Sequence, residues 1–233
     1  KRRCAVAWRC MGLLRRHTVC KGGRYPERAA GYAFVHTVMI LWINGAFGAG
    51  KTTAAYELNR RIENSYIYDP ENAGYFIRKN IPQQINIEDN FQDYKLWRDF
   101  NLRMLSFIAD SFDGTIIVPM TVTNRQYYDE LILKLSERYT VKHFILYASE
   151  KVILKRLHTR FEGKNSWAAR KVRECIRAFD CDIPGIKIMT DNMGIEEITQ
   201  QIGELSGIVL KPDKRKMFTK KLNRLAVKLK NIR

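Results

Sequence analysis

The 233-residue chain carries 41 Lys and Arg against 24 Asp and Glu, a formal net charge of +17, with 45% hydrophobic and 28% charged residues. That mix suits a folded protein with one sizeable core, and no run approaches the roughly 20 apolar residues of a membrane span. The basicity sits at the ends: residues 1–38 hold nine Lys/Arg and one acid, residues 211–233 hold ten and one, and 39–210 is neutral. A uniformly basic nucleic-acid-binding domain is thereby excluded.

Residues 1–38 show no sustained periodicity, and Arg9, Arg15 and Arg16 interrupt any apolar region of a signal peptide. Met39 opens the first clear strand, so it is expected to be the natural start and 1–38 an upstream extension; a disordered basic arm is the alternative. Cys4, Cys10, Cys20, Cys175 and Cys181 fit no common zinc spacing and are odd in number. They read as reduced thiols of a cytoplasmic protein.

From Met39 the pattern alternates. An apolar strand (38–44) runs into a glycine-rich loop and a helix (51–63). A second strand (65–69) ends at Asp69-Pro70 and is followed by a polar helical stretch with a break at Pro82. A long helix (90–112) repeats Leu96, Phe100, Met104 and Phe107 at helical spacing, and Trp97 and Phe100 read as core. A third strand (114–120), a helix (124–138), a fourth strand (141–148), a helix from 149, a fifth strand (185–192) and a helix (195–206) follow. Short apolar strands alternating with helices predict an α/β fold, a parallel sheet covered on both faces.

The loop Gly45-Ala46-Phe47-Gly48-Ala49-Gly50-Lys51-Thr52 satisfies G-x-x-x-x-G-K-[ST], with an apolar strand before it and an amphipathic helix after it. Such a loop turns successive N–H groups and a helix N-terminus onto phosphates. Lys51 would reach the β- and γ-phosphates of ATP, and Thr52 would place a hydroxyl on Mg²⁺. The third strand ends with Pro119 where a Walker B strand commonly carries Asp. Attention therefore moves to Asp69 and Glu71 at the carboxyl edge of the sheet, where Asp69 would accept a proton from an acceptor hydroxyl. The competing reading is that Asp69 caps the helix behind Pro70.

Residues 154–174 are basic, with Arg156, Arg160 and Arg170 among them. Gly163 breaks the helical pattern, and Asn165 or Ser166 is placed to cap a new helix near Trp167. This reads as a helical lid whose Arg160 and Arg170 neutralise charge on a transferring phosphoryl group, with Arg156 toward the nucleotide. The competing reading is a solvated face laced by pairs such as Arg170–Glu174. In residues 89–100, Tyr94 and Trp97 are candidates to stack on a ring, and Arg98 to clamp a substrate.

The stretches "WINGAFGAGKT" (42–52), "YDPE" (68–71), "IVPMT" (117–121), "EGKNSWAA" (162–169) and "TDN" (190–192) together resemble the bacterial tunicamycin resistance proteins, P-loop ATP-binding proteins of the nucleotide-kinase-like superfamily. The resemblance covers the chain from about Met39 onward. It implies a three-layer P-loop kinase-like fold with sheet order 2-3-1-4-5, ATP at residues 45–52, and resistance to a nucleoside-like antibiotic. Phosphorylation of the drug and its sequestration without turnover both remain open.

The division of the chain is thus 1–38, a kinase-like body over 39–210, and a basic tail over 211–233. In the tail, Phe218, Leu222, Leu225, Leu229 and Ile232 form one helical stripe flanked by lysines. An anionic membrane surface, on the inner face of the cell membrane, is the favoured partner; docking of the same stripe on the body and binding of nucleic acid are the alternatives.

Overall fold

The computed structural model describes residues 38–159 and 166–230, with side chains to 227; residues 1–37, 160–165 and 231–233 lie outside the described set. β1 (Met39–Gly45) is apolar on both sides, as a parallel strand with both faces covered demands, and Ile40, Leu41, Trp42 and Ile43 are fully buried. It lies between β3 (Thr115–Pro119) and β4 (Thr140–Tyr147); β2 (Ser65–Ile67) and β5 (Ile186–Met189) form the edges. Every pairing is parallel, and the order 2-3-1-4-5 is the one the resemblance implies.

Alternate residues of each strand feed opposite layers. Ile40, Trp42, Ile116 and Val118 pack under α2 (Glu71–Asn80) and α3 (Lys95–Ser111). Leu41, Ile43, Ile117 and Phe144 pack under α1 (Lys51–Arg61) and α8 (Ile195–Ser206). Ile145 and Ala148 meet α6 (Glu150–His158) and α7 (Trp167–Cys181). Cys175 of α7 is buried, and burial pushes its thiol up to about 11, so it is an inert packing group.

The long helix starts later than its pattern suggests. Asn90 Oδ1 accepts from the Gln92 amide at 3.1 Å and caps a separate 3₁₀ turn, Phe91–Asp93, before an extended Tyr94. Its inward face includes Trp97, as expected, but not the expected stripe. Trp97, Asn101 and Leu105 are fully buried, whereas Leu96 (58%), Phe100 (38%) and Phe107 (66%) are exposed. Both sets sit at helical spacing; buried polar bonds select the first. Trp97 Nε1 donates to the Pro70 carbonyl at 3.0 Å, and the Tyr68 hydroxyl donates to Asn101 Oδ1 at 2.7 Å. The expected helix over 124–138 is α4 (Arg125–Tyr128), a π-helical stretch (Asp129–Leu133) and α5 (Lys134–Ser136).

His143 on β4 is nearly buried, and its Nε2 lies 3.2 Å from Asn44 Nδ2. Nδ2 is a donor, so the ring is held neutral, and burial pushes its pKa down to about 4. The unfolded ring binds its proton near pH 6.5. Stability is therefore expected to fall, by on the order of 3 kcal/mol, as pH drops from about 6.5 to about 4. Urea midpoints at pH 7 and pH 4 should differ less in His143→Gln than in the wild type.

The tail forms α9 (Met217–Lys230), which docks through charged groups; of the expected stripe, the Leu229 side chain and Ile232 lie outside the described set. Glu57 of α1, almost fully buried, receives Arg215 and Arg224 from the tail, and Glu196 of α8 receives Arg224 and, at 3.7 Å, Lys220. Val227 is buried beside them, while Phe218, Leu222 and Leu225 stay 49–72% exposed. The buried Glu57 carboxylate selects cationic partners over an apolar stripe, because an unpaired buried charge costs several kcal/mol.

Candidate functional site

The loop after β1 is set by backbone conformations that suit glycine. Gly45, Gly48 and Gly50 have φ of 144°, 84° and 103°. A Cβ on Gly45 would sit 2.7 Å from the Leu146 carbonyl oxygen of β4, so strand and loop pass too closely for a side chain. Gly50 is the N-cap of α1 and offers no side-chain acceptor to its first turn, which suits that turn to an anion. Lys51 Nζ lies back along the loop, donating to the Ala46 carbonyl at 3.1 Å and standing 5.4 Å from the Phe47 ring.

Residues that sequence reasoning passed over fix this loop. Asn44 is fully buried; its Oδ1 accepts from the amides of Gly45 (2.8 Å) and Val122 (3.0 Å), and its Nδ2 donates to the Val122 carbonyl (2.9 Å). Thr121 Oγ1 donates to the Gly45 carbonyl at 2.9 Å. The segment after Pro119, which lacks a Walker B carboxylate, thus braces the phosphate loop through neutral hydrogen bonds. Buried Asn beside a strand end was the available signal.

Asp69 stands after β2, half-buried, and its Oδ1 accepts from the Glu71 amide at 3.0 Å. The N-cap of α2 is Pro70, with no side-chain cap, so Asp69 braces the start of the helix through this local bond. The Tyr68–Asn101 and Trp97–Pro70 bonds hold this corner. Trp97 is fully buried and so does not stack on a ligand ring. Tyr94 instead ties down its own loop, accepting from the Glu88 amide at 3.1 Å.

Arg98 is not a direct clamp. It is 6% exposed, its Nε bonds Glu130 Oε2 at 2.6 Å, and its Nη1 bonds the carbonyls of Gln92 (2.5 Å) and Asp93 (3.1 Å). Its guanidinium also stands 4.3 Å from the Tyr127 ring centroid. A buried cation saturated in this way positions a loop rather than a ligand.

In α6, Arg156 donates to Thr190 Oγ1 (3.0 Å) and to the Thr190 carbonyl (2.5 Å), joining α6 to the end of β5. Asp191 Oδ1 accepts from the Ser149 amide and hydroxyl at the start of α6. Of the expected lid, Arg160, Gly163 and Asn165 lie outside the described residues. Ser166 is the cap of α7, with Oγ accepting from the Ala169 amide at 3.2 Å. Glu174 pairs with Lys171 at 2.6 Å and not with Arg170, which is exposed.

A cavity of about 360 Å³ opens among the Asp89–Asp93 loop, Thr123, Asn124, Tyr127, and Trp167, Lys171 and Glu174 of α7. Trp167 packs edge-on against Phe47 of the phosphate loop, ring centroids 4.9 Å apart, so cavity and loop share a wall. A more open depression of about 380 Å³ between Tyr147, Glu150, Arg173 and Asp180 has no phosphate-loop residue in its lining. Among the described residues no group of three or more His, Cys, Asp or Glu could hold a metal ion. The hydroxyl of Thr52, in the first turn of α1, is a hard oxygen donor of the kind that would suit Mg²⁺ brought by a nucleotide.

No protein-family model and no curated protein matches the sequence. Among solved structures, the chain is similar to the Deinococcus radiodurans tunicamycin resistance protein, at 29% identity over 76% of this chain and 99% of that one, with a TM-score of 0.65. A sugar kinase from Janibacter sp. matches at 19% identity over 74% of this chain and 95% of that one, TM-score 0.54. A gluconokinase from Sinorhizobium meliloti matches at 16% over 72% and 93%, TM-score 0.51. The last two show the fold alone. By its sheet order and these likenesses, the chain has a P-loop kinase-like α/β fold, and it is similar to a tunicamycin resistance protein.

Proposed function

We propose that the body over 39–210 is an ATP-dependent phosphotransferase that acts on tunicamycin or a related nucleoside-like molecule. The observation that carries this reading is the shared Phe47–Trp167 wall, which sets a small-molecule cavity against a nucleotide-type phosphate loop. In the reading, the backbone of residues 45–50 receives the phosphates of ATP, Lys51 stands on the β- and γ-phosphates, and Arg156 borders the nucleotide. Mg²⁺, held by Thr52 and phosphate oxygens, would supply charge neutralisation. Asp69, supported by Glu71, takes the proton of the acceptor hydroxyl as its oxygen bonds the γ-phosphorus and the bond to the β-phosphate oxygen breaks, releasing ADP. Arg160 and Arg170 stabilise the charge on the transferring group. Tunicamycin-stimulated ADP release by the purified chain is expected, falling about 10²-fold or more in Asp69→Asn with ATP binding retained. Binding of tunicamycin without ADP release would favour sequestration.

The tail carries a second element of the reading, a peripheral contact with an anionic membrane. No helix among the described residues is long and apolar enough to cross a membrane. α9 turns Phe218, Leu222 and Leu225 outward, with Lys214, Lys216 and Lys221 also exposed. An apolar stripe rimmed by cations complements an anionic lipid surface. Co-sedimentation with phosphatidylglycerol vesicles should drop roughly tenfold or more in Phe218→Glu/Leu222→Glu, since burying each side chain is worth about 1.5–3 kcal/mol. Equal binding of the double variant would remove this element.

A further inference from the structure

We infer that the cavity is an acceptor subsite for an uncharged ligand bearing hydroxyl and amide groups, and that Asp93, held by Tyr127 and braced by Arg98, is its specificity-determining hydrogen-bond acceptor. The inference rests on the functional reading above and gives the ligand-facing chemistry of that site.

Asp93 is built into place. The Tyr127 hydroxyl donates to its Oδ1 at 2.7 Å, which leaves Oδ2 as the second acceptor. Arg98 Nη1 holds the carbonyls of Gln92 and Asp93 from beneath and covers the Tyr127 ring. The neighbouring Gln92 is 7% exposed and donates through Nε2 to the Thr121 carbonyl at 2.9 Å, while Thr121 bonds the Gly45 carbonyl. A continuous path therefore runs from Asp93 through Gln92 and Thr121 to the first glycine of the phosphate loop. An acceptor so tied stays in register with the phosphate to within the small tolerance that group transfer allows. Burial and the Asp93 carboxylate push the Tyr127 phenol up to about 12, so it remains a donor to Asp93 at neutral pH.

The charges lining the cavity decide the ligand class. Among the described lining residues, Asp89, Asp93 and Glu174 face Lys171, whose ammonium is engaged by Glu174 at 2.6 Å. A phosphomonoester or carboxylate acceptor would meet three carboxylates and a lysine already engaged by one of them. Sugar hydroxyls and amide N–H groups suit the carboxylate, through charge-assisted bonds, and suit Asn90, Thr123 and Asn124. A site built around such a bond discriminates strongly against ligands that lack the donor.

The test uses the full chain with a non-hydrolysable ATP analogue, and titrates tunicamycin into wild type, Asp93→Ala, Asp93→Asn and Tyr127→Phe. Asp93→Ala is expected to weaken tunicamycin binding ~10-fold or more, as loss of a charge-assisted hydrogen bond implies. Nucleotide affinity should hold within about twofold, because Asp93 is outside the phosphate loop. Uridine monophosphate should not displace tunicamycin from the wild type, and should begin to do so in Asp93→Asn, which removes the charge but keeps an acceptor. Unchanged tunicamycin affinity in both Asp93 variants, equal losses for tunicamycin and nucleotide, or displacement by uridine monophosphate from the wild type would each overturn the inference while leaving the phosphotransferase reading intact. A wild type that binds nucleotide but not tunicamycin would refute that reading, and this inference with it.

Discussion

Lys51→Ala is expected to abolish ATP-dependent turnover, with a loss of at least about 10²–10³-fold in rate, the range seen when one preorganised donor to developing charge is removed. Lys51 is the first residue of α1, its stem runs along the loop, and its ammonium rests on the Ala46 carbonyl at 3.1 Å. That contact holds the cation ready without burying it deeply, so the substitution removes charge and leaves the core intact. The apo thermal midpoint should therefore barely move. The nucleotide-dependent shift is the sharper readout. A ligand at a hundred times its Kd stabilises by about 2.7 kcal/mol, which is about 5–10 °C for a chain of this size. The wild type should show that shift with Mg-ATP and Lys51→Ala should lose most of it. A full shift in Lys51→Ala would show that ATP does not sit at this loop.

Trp97→Ala is expected to have the largest effect on stability, a loss of about 3–5 kcal/mol and so about 6–20 °C in the thermal midpoint. Trp97 is fully buried, packs 5.5 Å from the Phe91 ring centroid, and donates to the Pro70 carbonyl. Removing it opens a cavity in the layer that contains Ile116, Val118 and Met120 and leaves that carbonyl without its donor. Because Pro70 follows Asp69, the remaining folded protein should also lose turnover more than nucleotide affinity. Trp97→Phe, which fills most of the space but cannot donate, separates the two: stability should recover in large part and turnover less. Full recovery of turnover in Trp97→Phe would show that the indole bond does not position Asp69.

The fold was legible in the sequence because strand and helix periods alternate without ambiguity from Met39 onward, and because the glycine pattern of residues 45–52 has a strand before it and a helix after it. What the pattern could not supply was the choice between two apolar faces on one helix. In α3 the stripe Leu96–Phe100–Phe107 is as periodic as Trp97–Asn101–Leu105, and the second is inward because the partners of Trp97 and Asn101 lie on the Tyr68–Pro70 corner, far away in sequence. The tail repeats the lesson: its stripe is plain, but Glu57 and Glu196 on other helices capture Arg215 and Arg224 and leave Phe218, Leu222 and Leu225 exposed. The candidate site is legible in sequence through its glycines, lysine and arginines. The hydrogen bonds of Asn44, Gln92 and Thr121 are not, because short polar side chains carry no periodic signal and their partners meet only where β1, the segment after β3 and the loop before α3 converge. The expected substrate contact of Arg98 is taken by Glu130, since sequence cannot tell a ligand's anion from a carboxylate elsewhere in the fold.

If the proposed phosphotransfer occurs, the γ-phosphate of ATP leaves the glycine loop for a molecule in the adjoining cavity. The direct measurement is incubation of the purified chain with γ-labelled ATP, Mg²⁺ and tunicamycin, followed by separation of the drug. Label on tunicamycin, one phosphoryl group per molecule, absent with Lys51→Ala and strongly reduced with Asp69→Asn, is the predicted result. Stoichiometric capture of unlabelled tunicamycin while ATP stays intact would contradict it.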